Sequence, residues 1–166
     1  MKRIDPIVLG IIIITLVVIG GVIAVAATSK TQPISQYQTG DVDKPKTEMG
    51  ETSFDFGDMK VSDTKTQETT LKNVGTKPLV LSDIVTSCDC TFAQVIVGGR
   101  ESPRFSMRRD ATWRETVQPG ETATVRMIYE PRIMPVKGKV NRSVAIKTND
   151  PAKPLINLSF TANVQQ

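Results

Sequence analysis

The sequence predicts an all-β, two-layered antiparallel sandwich behind one N-terminal transmembrane helix. Three observations carry this expectation. An uncharged apolar run lies near the amino terminus, a polar stretch follows it, and the apolar residues of the remaining chain recur with a period of two. The chain has 166 residues, which allows one ordinary domain plus extras.

The helix comes first. Residues 7–27 carry no charge and one hydroxyl, Thr15, and are dominated by Ile and Val. A helix of that length rises about 31 Å, close to the hydrocarbon thickness of a bilayer. A helix buried in a soluble domain would need a polar stripe, and none is present. Lys2 and Arg3 precede the run and Lys30 follows it, so the positive excess lies on its amino-terminal side. The positive-inside tendency puts residues 1–6 in the cytoplasm and everything after Ala27 outside it, with the lipid bilayer as the partner of residues 7–27. The rival is a signal peptide cleaved after Ala26, because Ala24-Val25-Ala26 has the small-x-small pattern. The run is longer than the roughly 7–15 residues of a signal h-region, which favours a retained signal anchor on a single-pass membrane protein.

Residues 28–50 are rich in Ser, Thr, Gln, Lys, Pro and Gly and nearly devoid of large apolar residues. Such a stretch cannot offset its ordering entropy by burial and reads as a flexible linker. From residue 51 to residue 166 short strand patterns take over. Phe54 and Phe56 alternate with Asp55, and Leu79 and Leu81 flank Val80 after the turn Asn73-Val74-Gly75-Thr76-Lys77-Pro78. Ala123, Val125, Met127 and Tyr129 share a face, as do Val140, Val144 and Ile146. Ile156, Leu158, Phe160, Ala162 and Val164 form the last such face. Pro119-Gly120 and Asn149-Asp150-Pro151 supply turns. Several short strands in this length argue an antiparallel β-sandwich close to immunoglobulin size, without the Cys…Trp…Cys spacing of antibody domains.

Composition excludes much chemistry. The chain has no His, which removes the imidazole base, the Ser-His-Asp triad, the Cys-His pair and His metal ligands. Outside residues 1–6 there are 19 basic and 16 acidic residues, a net of +3, short of the clustered basic face that nucleic-acid binding needs. No carboxylate pair can be placed in a cleft from sequence.

The longest interruption runs from Gly98 to Thr116. It holds Arg100, Arg104, Arg108, Arg109 and Arg114 against Glu101, Asp110 and Glu115, five minus three, a local +2. Arg100, Arg104, Arg108 and Arg109 are the candidate binding residues for an anionic polymer, a lipid headgroup or an envelope protein; the plainer alternative is a solvated surface loop. Phe105 and Trp113 are expected to pin the loop to the sandwich.

Cys88-Asp89-Cys90 is the one constellation with chemistry of its own. In an extended run from Ile84 to Val95 both thiols project from one face, with Cα atoms about 6.6 Å apart, at the outer edge of disulfide geometry. A mutual disulfide then requires a bend. The alternatives are two packed thiols, a structural disulfide, a thiol-redox pair, or a clamp for copper or zinc in which Met107 or Met134 adds a thioether. One Cys-x-Cys lacks the second pair of a four-ligand site.

Several short segments follow one another in order: Phe54-Asp55-Phe56-Gly57, Leu71-Lys72-Asn73-Val74-Gly75, Lys77-Pro78-Leu79, Ser87-Cys88-Asp89-Cys90-Thr91, Pro119-Gly120-Glu121, Gly138-Lys139 and Thr148-Asn149-Asp150-Pro151. Over about residues 52–164 this resembles a bacterial family of exported immunoglobulin-like domains of unknown function, marked by a Cys-Gly-Cys-Thr motif and related in pattern to the Hydin and major sperm protein modules. The resemblance implies an extracytoplasmic sandwich in the bacterial cell envelope and no particular activity. Asp89 stands where that family usually has Gly. A subgroup with a similar insertion looks as if it has His near the positions of Arg108 and Ile133, which this chain lacks. A metal site of Cys plus His would be incomplete here, leaving Cys88, Cys90 and Met107 as the metal candidates. The expected function is therefore a membrane-anchored, extracytoplasmic, non-enzymatic module for binding or envelope organisation, without a cofactor. Soft-metal binding by Cys88 and Cys90 is the alternative.

Overall fold

The computed structural model describes residues 8, 10–19 and 34–165. They divide into two units, Met1–Ile34 and Ser35–Gln166. In the first, residues 10–19 are helical and the side chains of Ile11 to Ile14 and Leu16 to Ile19 are exposed. The Thr15 hydroxyl donates to the Ile11 carbonyl at 2.8 Å, so the one polar side chain of this stretch is satisfied within the helix. Among the described residues no helix is long and apolar enough to cross a membrane. The rest of the expected 7–27 span, residues 1–6, the Ala26 cleavage point and the beginning of the linker lie outside the described residues.

The second unit is a two-sheet β-sandwich. One sheet has the order β1 (Thr47–Met49), β3 (Lys65–Asn73), β8 (Thr122–Tyr129), β5 (Thr91–Val97), β6 (Arg100–Glu101). The other has the order β2 (Ser53–Lys60), β10 (Leu155–Gln165), β9 (Gly138–Thr148), β4 (Leu79–Thr86), β7 (Arg114–Val117). The period-two faces meet between the sheets. Ala123, Val125, Met127 and Tyr129 are fully buried, and Ile156, Leu158, Phe160, Ala162 and Val164 nearly so. Phe160 stacks on Phe56 at 4.2 Å between ring centroids and meets Tyr129 at 5.2 Å. Burying one such side chain contributes about 1.5–3 kcal/mol.

Three expectations are corrected. The sandwich is not wholly antiparallel, because β2 pairs parallel to β10. The chain crosses from the first sheet to the second after β1 and so runs alongside its own last strand. The folded part starts ahead of residue 51. Pro45 and Thr47 are buried, and β1 pairs with β3, Thr47 opposite Asn73. A polar composition does not preclude order where backbone partners wait, and here the Val74 and Thr76 amides donate to the Lys46 and Lys44 carbonyls. Third, the run from Ile84 to Val95 is not continuous. β4 ends at Thr86 and β5 begins at Thr91, so residues 87–90 turn the chain from one sheet to the other.

The turn residues at one end of the sandwich tie distant segments together. The buried Asn73 side chain donates to the Lys77 and Val117 carbonyls, both at 2.9 Å, and accepts from the Gly75 amide at 3.0 Å and the Lys46 amide at 3.4 Å. Asn149 accepts from the Val80 amide, and Asp150 accepts from the Thr47 amide at 2.7 Å. A Cβ on Gly75 would overlap the Lys44 carbonyl and the Pro45 backbone, which is why that position takes glycine. The cysteine turn lies at the opposite end of β4.

Candidate functional site

At the cysteine end the bend that a disulfide requires is built from backbone bonds. The Thr91 amide donates to the Cys88 carbonyl at 3.1 Å, the Thr86 hydroxyl donates to the same carbonyl at 2.8 Å, and the Glu130 amide donates to the Cys90 carbonyl at 2.9 Å. This brings the two Cα atoms to 5.2 Å, and Cys88 and Cys90 are joined in a disulfide. Cys90 is fully buried and Cys88 nearly so. In this bonded form the sulfurs are not thiolates, and ligation of copper or zinc would require the reduced pair. Met107, the expected third ligand, is half exposed, and Met134 likewise.

The long interruption is a strap across one side of the sandwich. Its first part covers the free edge of β5: β6 pairs with Ile96 and Val97, the Ser102 hydroxyl accepts from the Val95 amide, and Phe105 and Ala93 exchange both backbone hydrogen bonds. Its last part, β7, pairs with β4 in the other sheet. Phe105 is buried and meets Trp113 edge-on at 4.8 Å, while Trp113 packs against the core. The two aromatic residues thus pin the strap.

The four arginines singled out from the sequence have different surroundings. Arg104 bonds the buried Glu130 at 2.6 Å and lies over the Phe92 ring at 4.0 Å. Arg100 meets Glu115 at 3.3 Å. Arg109 approaches Asp83 at 4.0 Å. Arg108 is exposed and has no carboxylate partner among the described residues. The hydrogen bond from Arg104, with Arg132 adding at 2.8 Å, holds the Glu130 carboxyl below its ordinary pKa against the opposing effect of burial. Asp83 is held low chiefly by the hydrogen bond from Lys147, with burial opposing and Arg109 contributing charge.

One residue of this end, Arg142, escaped the pattern reading. Arg142 stands at an inward position between Val140 and Val144, and its Nε is buried without a hydrogen-bond partner. The Tyr129 hydroxyl is also buried and unpartnered; burial pushes its pKa up, and the neighbouring Arg142 guanidinium acts in the opposite direction. A basic residue breaking an apolar alternation was the available signal. On the outer face of the second sheet, Asp55, Asp58, Lys139, Asn141, Thr161 and Asn163 line an open cleft of about 510 Å³. Both carboxylates there accept hydrogen bonds from their own sheet, Asp55 from Gly57 and Thr161, Asp58 from Asn163.

A family model described as a protein of unknown function (DUF1573) matches residues 47–97, from the start of β1 to the end of β5 and across the cysteine turn. A protein of unknown function from Porphyromonas gingivalis W83 is similar in structure, with a TM-score of 0.55 and 21% identity over 74% of this chain and 48% of that one. The chain thus spans about half the length of that protein. The seventh PapD-like domain of human CEP192 is similar with a TM-score of 0.51 and 12% identity, over 82% of this chain and 96% of that domain. No curated protein matches the chain. The two sheets and these likenesses together define a β-sandwich domain of immunoglobulin-like, PapD-like architecture.

Proposed function

We propose that this chain is a membrane-anchored, extracytoplasmic immunoglobulin-like module that acts by binding or envelope organisation and not by catalysis. The observation that carries the reading is the pairing of two features: an exposed, wholly apolar helical stretch, residues 11–14 and 16–19, ahead in sequence of a sandwich whose polar turn residues Asn73, Asn149 and Asp150 are spent on internal hydrogen bonds. Asn73, Asn149 and Asp150 clip segments together, and Glu130 is occupied by two arginines. Such groups support a scaffold, and a scaffold held at a membrane presents its surface. Bilayer insertion of residues 7–27 places the sandwich outside the cytoplasm by the positive-inside tendency. Protease applied to intact cells should degrade the sandwich and leave an amino-terminal membrane fragment. A sandwich that resists in intact cells yet is cleaved after lysis overturns the reading.

A further inference from the structure

We propose that the cysteine end of the sandwich docks an acidic protein segment, through exposed Met107, Ile133 and Met134 rimmed by Arg108, Arg109 and Arg132. This rests on the binding-module reading above and names its partner class.

The apolar side chains come from two segments that the fold joins. Met107 follows Arg104 by three residues in the strap, and Ile133 follows Glu130 by three after β8; the ion pair between Arg104 and Glu130, at 2.6 Å, fastens one segment to the other. The strap is also held by the Thr86 amide, which donates to the Ser106 carbonyl beside the cysteine turn. Met107, Ile133 and Met134 are 52%, 45% and 47% exposed, three of the six exposed large apolar residues described in the second unit. Their gathering at one end, not their number, is what marks a contact surface.

The charge around them is positive. Arg108 has no carboxylate partner among the described residues, and Arg109 reaches Asp83 only at 4.0 Å. Arg132 is 59% exposed although it bonds Glu130. Of the acids at this end, Glu130 takes both arginines and Asp110 accepts from the Thr112 hydroxyl and from the Thr112 and Trp113 amides, while Asp89 in the cysteine turn is exposed and makes no ion pair among the described residues. An acidic partner complements this rim, gains in association rate and is selected over basic competitors. Met and Arg, which supply five of these six side chains, are among the residues enriched in protein–protein contacts. That favours a carboxylate-bearing protein segment over a lipid surface.

The test uses the full chain in neutral detergent micelles, with empty micelles as the blank. The probes are a short peptide of alternating Glu and Leu, its Lys and Leu counterpart, and vesicles of phosphatidylglycerol in phosphatidylcholine. The acidic peptide should bind and the basic one should not. Arg108→Glu with Arg109→Glu should weaken binding about tenfold at low salt, where surface charges are least screened. Ile133→Ser with Met134→Ser should weaken it at high salt as well. Lys153→Glu with Leu155→Ser, at the other end, should leave it unchanged. Equal binding of the two peptides, indifference to the cysteine-end variants, or binding to vesicles alone overturns the proposal. Peptide failure in a protein whose sandwich is cleaved on intact cells removes this inference and leaves the anchored module standing. A sandwich inaccessible from outside removes that reading whatever the peptide does.

Discussion

Glu130 is buried and takes two arginines, Arg104 from the strap and Arg132 from the segment after β8. The arginines of the strap read as ligands for something outside the molecule. Arg104 instead reaches a carboxylate 26 positions away, at the end of β8, and lies over Phe92 on the way. A charge is visible in sequence; the partner that consumes it is not, because the fold alone brings residues 104 and 130 together. The pairing has a pH signature. Hydrogen bonds from Arg104 and then Arg132 hold the folded Glu130 pKa below that of the unfolded chain, about 4.3. The stability it contributes is complete above that unfolded value and is lost as pH falls through the lower folded one. Thermal midpoints followed down from neutral pH should therefore fall less steeply below about pH 4.3 in Glu130→Gln than in the parent. Parallel acid limbs in the two proteins would count against the pair.

At the scale of elements, the alternating core strands and the turns at Asn73–Pro78, Pro119-Gly120 and Asn149-Asp150-Pro151 were legible, and the bend at the cysteines and the sheet partners were not. Alternation in Ala123 to Tyr129 and in Ile156 to Val164 places one face inside whatever the topology, so the period alone identifies them. Nothing in Cys88-Asp89-Cys90 says whether the chain continues or bends, because the bend is enforced by Thr86, Thr91 and Glu130 from three different strands or strand ends. The parallel pairing of β2 with β10 is equally silent in sequence, being a matter of which sheet the first strands join. β2 also forms an edge, and its second half is capped by side chains. The Gly57 amide donates to Asp55, the Lys60 amide donates to Asp63, and Lys65 donates to the Asp58 and Phe56 carbonyls. Uncapped edges recruit other chains. Lys65→Thr should keep the fold and introduce concentration-dependent self-association in light scattering. A variant that stays as monodisperse as the parent would show that Lys65 does not protect the edge.

Over the whole domain the disulfide is a small contributor to stability. It joins residues two apart, so it closes a very short loop, and the chain-entropy relation gives about 1.6 kcal/mol for a three-residue ring. Against a typical domain stability of about 5–15 kcal/mol this is a minor share. Reduction, or Cys88→Ala with Cys90→Ala, should lower the melting temperature by only several degrees and leave the sheet spectrum in circular dichroism intact. Global unfolding on reduction would mean that the turn organises far more than itself. The molecule's resistance to being pulled apart resides elsewhere. Backbone enters β1 at the end marked by Asn73, runs antiparallel to β3, and leaves β10 at the other end. Tension between the leading segment and the carboxy terminus would act along the axis of β1. The rungs between Thr47–Met49 and Leu71–Asn73, together with the clamp on Asp150, would bear that load in shear, side by side, rather than peeling open one at a time.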